Sequence, residues 1–185
     1  MARIEPPRRP PLWVRALLAL YGRWTGRVPL PLQMVAHVPS FILPLAMTNR
    51  FAHGRGELPA DTRLLAMLLV GELNQCTWCI DFGRGLAGKR LRDKALHVRD
   101  FATHPGFSAA ERAALRYAGE ATQTPVEVSD ATFTALRTHF NDRQIVELTY
   151  AVAIEGFFNR INAPLGLEAE GFCALPPAEA DDAAA

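Results

Sequence analysis

Three cysteines in 185 residues are too few, and odd in number, for a disulfide framework. A chain of this length buries a core without covalent staples or a structural metal. Cysteine here therefore points to thiol or metal chemistry in a reducing compartment rather than to scaffolding. Long apolar runs are also missing. The longest uninterrupted one is 64–70, far short of the ~20 residues a membrane-spanning helix needs. The N-terminal run that starts at Leu12 is interrupted by Arg15 and followed by no small-residue cleavage site, a poor secretory signal. These absences lead to the expectation of a soluble, cytoplasmic protein that does not engage membranes. Charge of one sign is scarce as well: the formal net charge is +1. Arg8, Arg9, Arg15, Arg23 and Arg27 bias the N-terminal region, but the whole lacks the electrostatic footprint of a nucleic-acid binder. No stretch alternates convincingly as a strand, and no repeat is present.

What is there is helical punctuation. Hydrophobic residues make up 49% and charged residues 21%, the balance of a soluble globular domain. Prolines 6, 7, 10 and 11 mark a flexible arm over 1–11, and apolar residues at helical spacing then predict a helix over 12–24. Pro29 and Pro31 break it. The stretch 32–51, interrupted by Pro39 and Pro44, reads as two short helices or one kinked one. After Pro59, Asp61 or Thr62 caps a helix that is apolar on more than one face from Leu64 onwards, as expected of a central helix. A short helix is expected over 94–103, then a turn at His104-Pro105-Gly106. Ser108 and Glu111 form a capping box that opens a helix to about Thr122. Ser129 or Asp130 caps the next helix, to Phe140. Asn141 or Asp142 opens a longer one carrying Ile145, Leu148, Val152 and Phe157, which Pro164 ends. The reading is a single all-α domain over 12–175, with a disordered acidic tail at 176–185.

Chemistry concentrates in Cys76-Thr77-Trp78-Cys79. Two thiols three residues apart can close into a disulfide or hold a metal. Zinc needs four ligands, and no second half-site is visible: Cys173 is alone, and His97 and His104 are seven residues apart. The redox reading has a thiolate attacking an electrophilic oxygen or sulfur and its neighbour resolving the product. Nothing between Glu72 and Cys76 forbids a helix. If it runs on, Glu72, Cys76, Cys79 and Gly83 share one face, which makes Glu72 the expected base that generates the thiolate. Gly83, Gly85 and Gly88 match a dinucleotide-binding GxGxxG, but no strand leads into them, and close helix packing explains them better. The five histidines do not fall at metal or triad spacing; His37, in an apolar setting, is the one of interest. Arg160, late in the last helix, is expected to pair with Glu155 or another carboxylate.

The segment from Glu72 through Cys76 and Cys79 to Gly83 resembles the carboxymuconolactone decarboxylase and AhpD-like alkylhydroperoxidase superfamily. Supporting pieces are Gly26 to Pro29, Ala36 to Pro39, Asn141 to Thr149, and Asn159-Arg160. The resemblance implies an AhpD-like helical fold built around a central helix hairpin, with subunits assembled as trimers or hexamers. It implies hydroperoxide reduction by the CxxC pair, with Cys79 as the attacking thiol and Cys76 as the resolving one. Electrons would come from a dithiol reductant, a lipoylated or thioredoxin-like protein, with no cofactor or metal. The family's peroxidase pattern has a histidine between the cysteines and another four residues after the second; Trp78 and Gly83 stand at those places. Its glutamate twelve residues before the first cysteine is replaced by Leu64, which leaves the base to Glu72. The alternatives are a decarboxylase-type lyase, whose turnover would survive loss of Cys79, and a non-catalytic redox-sensing oligomer.

Overall fold

The computed structural model of the chain describes residues 2–173, so the tail expected at 176–185 lies outside the described residues. Proline shapes the N-terminal layer, because each ring removes an N–H and restarts the helical ladder. Pro11 precedes α1 (Leu12–Thr25), which Gly26 closes in the left-handed region at φ 84°. Pro29 and Pro31 open the short α2 (Leu30–Met34). Tight 3₁₀ turns follow at Val35–His37 and Pro39–Phe41, and then α3 (Ile42–His53). The N-terminal arm is tied down at two points. Arg3 donates to the carbonyls of Leu165 and Pro164, and the exposed His37 donates through Nε2 to the Glu5 carbonyl at 2.9 Å.

The centre is α4 (Ala60–Leu73), buried continuously from Leu65 to Gly71. It packs against α5 (Thr77–Ala87), α7 (Ala109–Thr122) and α9 (Asp142–Asn162). A helix apolar on every side is stable only when neighbours cover every side. Its start differs from the expectation: Pro59 is the N-cap, and Asp61 falls inside the first turn, where it pairs with Arg90. Near its start Arg63 is buried, donating to the Gly54 carbonyl at 2.5 Å and to Glu147 at 3.2 Å. Glu147 also accepts from the Leu58 and Glu57 amides. The Leu58 amide above all, opposed by burial and helped by Glu57, Arg143 and Arg63, holds its carboxyl below the usual range.

The stretch expected as one helix over 94–103 splits into α6 (Arg92–Leu96) and a 3₁₀ turn at Val98–Asp100. The Ser108–Glu111 capping box forms as read from the sequence, and Asn141 with Gln144 makes a second one at the start of α9. Between them, α8 (Asp130–Arg137) is capped by Ser129 and stops short of Phe140. Leu65, Leu68 and Leu69 interlock with Leu115 and Ala118 of α7 and with Leu148 and Val152 of α9. Phe157, expected on that apolar face, is instead partly exposed. Among the described residues there is no strand, and the architecture is all-α, with the α4–α5 hairpin at its heart.

Candidate active site

The helix does not run on through the cysteines. It ends at Leu73, Asn74 caps it, and Gln75 takes φ 53°, the left-handed conformation that reverses the chain. Cys76 is then the N-cap of α5. The stripe expected to align Glu72 with both thiols is therefore broken, because a hairpin buries both helices against each other where one long helix would not. Glu72 faces Arg84 instead, at 2.7 Å, with both side chains largely buried. Its carboxylate ties the end of α4 to the last turn of α5.

Cys76 and Cys79 are joined as a disulfide, their Cα atoms 5.3 Å apart. Cys76 is 1% exposed and Cys79 7%, so the second cysteine is the one nearer to solvent. Cys79 lies in the first turn of α5, where the helix dipole favours a thiolate. Two amides converge on its sulfur: Asn159 Nδ2 donates at 3.1 Å and Asn162 Nδ2 at 3.5 Å. Donors to the charged form favour it. Asn159 is itself fixed by Asn74, which donates to its Oδ1 at 2.8 Å from the hairpin turn.

The same Asn159 Nδ2 donates to Glu155 Oε1 at 2.7 Å. Glu155 is buried in α9, and burial pushes its pKa up to about 7 against the opposing pull of the Asn159 hydrogen bond. Gly71 lies between this carboxyl and Cys79: a Cβ there would make ordinary van der Waals contact with Cys79 Cβ at 3.5 Å and with Glu155 Oε1 at 3.6 Å. Glu155, Asn159 and Asn162 are spaced i, i+4, i+7. That polar stripe in an apolar helix was the available signal, and reading Glu155 only as a partner for Arg160 missed it. Arg160 in fact points outward and donates to the Gly156 carbonyl.

The other side of α5 is covered by the chain after α9. Asp81 accepts backbone N–H groups from Glu170, Phe172 and Cys173 at 2.8–3.0 Å. Trp78, inside the CxxC, donates its indole N–H to Glu170 at 2.6 Å. Trp78 stacks on Phe82 at 5.0 Å, and Phe172 packs edge-on to both. Gly85 admits this segment: a Cβ there would meet the Phe172 carbonyl oxygen at 2.8 Å. Of the GxGxxG glycines, Gly83 and Gly85 serve close packing within the helix, as expected, whereas Gly88 is the C-cap of α5 at φ 55°, with open space around it.

His53 packs edge-on to Phe82 at 5.9 Å, and burial with the nearby Arg63 charge lowers its pKa. His97 and His104, seven residues apart, stack at 4.6 Å beside Asp93, and among the described residues these three side chains are the group able to approach one cation. Their rings are already held by the protein. His97 Nδ1 donates to the Asp93 carbonyl, and His104 Nδ1 accepts from the Gly106 amide, which leaves the His104 Nε2 proton toward Asp93. That arrangement is a hydrogen-bonded cluster remote in sequence from the dithiol, and it assigns no metal to it.

No family model matches the sequence. The uncharacterised protein YnjA of Escherichia coli (strain K12) is 30% identical over 176 residues, covering 94% of this chain and 97% of that one. Among solved structures, the AhpD core of an uncharacterised peroxidase-related protein from Ralstonia eutropha JMP134 superposes with a TM-score of 0.79 at 23% identity, over 93% of this chain and 94% of the other. The debrominase Bmp8 superposes with a TM-score of 0.72 at 20% identity, over 88% of each chain. The fold expected from the CxxC segment and its flanks is the fold these structures share with the chain.

Proposed function

The chain belongs to one family with YnjA and carries the AhpD-like fold, and from that premise we propose that it reduces hydroperoxides with the Cys76–Cys79 dithiol. The observation that carries this reading is the convergence of Asn159, Asn162 and, through Asn159, the near-neutral Glu155 on Cys79 and not on Cys76. In the reduced protein Glu155, in place of Glu72, takes the Cys79 proton, and the two amides hold the thiolate. The thiolate attacks one peroxide oxygen: an S–O bond forms, the O–O bond breaks, and the departing alkoxide takes a proton from Glu155 to leave as alcohol. Cys76 then attacks the Cys79 sulfenic acid, forming the S–S bond and releasing water. An external dithiol, lipoylated or thioredoxin-like, returns the two electrons in a reducing compartment such as the cytoplasm. A carboxyl with a pKa near 7 serves both proton transfers, which a carboxyl in water does poorly.

Large apolar side chains stand exposed on α1, α3 and the outer face of α9, Trp24 at 83%, Leu43 at 68% and Tyr150 at 58% among them. Patches of this kind mark surfaces that meet another surface, which supports a homo-oligomer; its being a trimer or hexamer is what the family resemblance implies. Among the described residues no helix is long and apolar enough to cross a membrane.

Mass spectrometry with alkylation tests the chemistry. Brief exposure of the reduced protein to cumene hydroperoxide should consume two thiols and leave a Cys76–Cys79 disulfide. Cys76→Ser should stop at a sulfenic acid on Cys79, and Cys79→Ser should not react. Thiols that stay free would overturn the reading. A second electrophile belongs in the same assay, since the debrominase Bmp8 has this fold: thiol loss to a bromopyrrole but to no peroxide would move the assignment to reductive dehalogenation. Lyase turnover surviving Cys79→Ser would move it to the decarboxylase type.

A further inference from the structure

A cavity of about 180 Å³ opens between the end of α3, the first turns of α4 and the last turn of α5. Ala52, Leu64, Met67 and Leu86 give it apolar walls, with His53 at one side. Arg63 also borders it, but that guanidinium is already engaged by the Gly54 carbonyl and Glu147. The lowered pKa of His53 keeps its imidazole neutral near pH 7. An apolar cavity of about 150 Å³ is enough to take up a benzene ring.

Its position in the helix seam matters as much as its size. Met67 lies one turn before Gly71 on α4, and a Cβ placed on Gly71 would lie within 3.6 Å of both Cys79 and Glu155. Ala52, Met67 and Ala151 form one small apolar cluster, and Ala151 lies one turn before Glu155 on α9. On α5, Cys79, Phe82 and Leu86 are spaced i, i+3, i+7 along one face, and Phe82 meets His53. α4 and α5 therefore lead, by one and two turns, from the cavity to the dithiol, and α9 packs behind its wall through Ala151.

We propose that this cavity is the subsite for the apolar part of the molecule that Cys79 attacks, admitting a compact branched or aryl group, with Met67 and Leu86 as its specificity-determining residues. It rests on the reading of Cys79 as nucleophile. A hydroperoxide seated there by its tail directs its O–O bond along the α4–α5 seam toward Cys79. Hydrogen peroxide, with no tail, gains nothing from the cavity.

Two measurements separate this from the redox chemistry itself. In the first, the protein carries ¹³C-methyl methionine and is titrated with cumyl alcohol, the unreactive product of cumene hydroperoxide. Of its four methionines only Met67 lines the cavity. Its methyl signal should shift saturably while those of Met34 and Met47 stay, and the partly exposed rim variants Leu86→Trp and Ala60→Trp should weaken the response by about tenfold, the lower end of what a misfitted apolar group costs. A Met67 signal that does not move, or one that moves together with the other methyls, overturns the assignment. In the second, the ratio of kcat/KM for cumene hydroperoxide over hydrogen peroxide should fall by about tenfold in both rim variants; a ratio that holds in both overturns it. If Met67 responds but no peroxide oxidises the thiols, the subsite stands for another apolar electrophile and the peroxidase reading falls.

Discussion

Glu155 is the residue whose behaviour most depends on where it is. In the unfolded chain it titrates near 4.5, and in the folded one near 7. The folded state thus binds the proton more tightly. The resulting stabilisation is fully present below pH 4.5 and is lost as pH rises through about 7. Glu155→Gln removes this titration. We expect the stability of the wild type relative to Glu155→Gln, from urea unfolding in one redox state, to fall by about 3 kcal/mol across that window. His53, whose pKa is lowered, acts in the opposite direction, losing stability as pH falls, and the comparison cancels it. A difference that stays flat with pH would mean that Glu155 is ionised in the fold. The same substitution should remove the rise in peroxide reactivity through about pH 7. Sequence offered Glu72 as the base because it precedes the thiols; in the fold its carboxylate is paired with Arg84.

Elements here are set by caps that the sequence announces and by turns that it does not. Ser108 with Glu111 and Asn141 as a helix start were legible because a side chain that bonds its own backbone acts within four residues. The reversal at Gln75 was not, since no glycine marks it. Gln75→Gly should raise stability by up to about 1 kcal/mol, because glycine takes a positive φ without the Cβ clash. A loss of stability would show that the side chain holds the turn. Gly85 and Gly119 make a second pair of expectations. Gly85→Ala would set a Cβ 2.8 Å from the Phe172 carbonyl oxygen and should cost about 1–3 kcal/mol. Gly119→Ala, in open space on α7, should stabilise by about 0.5–1 kcal/mol. Equal effects at the two positions would show that the segment after α9 yields freely.

The whole molecule has two unlike layers. The α4 to α9 body is packed around Leu65, Leu115 and Leu148, all without exposed surface, whereas α1 leaves only Val14 fully buried and shows Trp13, Leu17, Leu20 and Trp24 along one side. If copies of the chain assemble through that side, Leu20→Glu with Trp24→Glu should convert the oligomer to monomer by light scattering, because two buried, unpaired carboxylates are costly at an apolar contact. An unchanged mass would place the interface on α3 and α9, and a monomeric wild type would remove the oligomer from the functional reading. The asymmetry between layers was partly visible in sequence, as prolines and arginines crowd the first third of the chain, but which apolar residues would lack a partner was not.

By itself the sequence determined what is local: helices at the apolar spacings, their capping boxes, and the dithiol. Periodicity of 3.6 and short-range hydrogen bonds need no knowledge of the rest of the chain. Only the tertiary structure decided what faces the sulfur. Asn159 and Asn162 come from a helix 80 residues and more away, and His97 meets His104 only because the chain folds back between them. Above all, Glu155 becomes a group that holds a proton near neutral pH because α4 and α9 close around it. Desolvation belongs to the packed interior and not to the residue, so no reading of the letters alone could have assigned it.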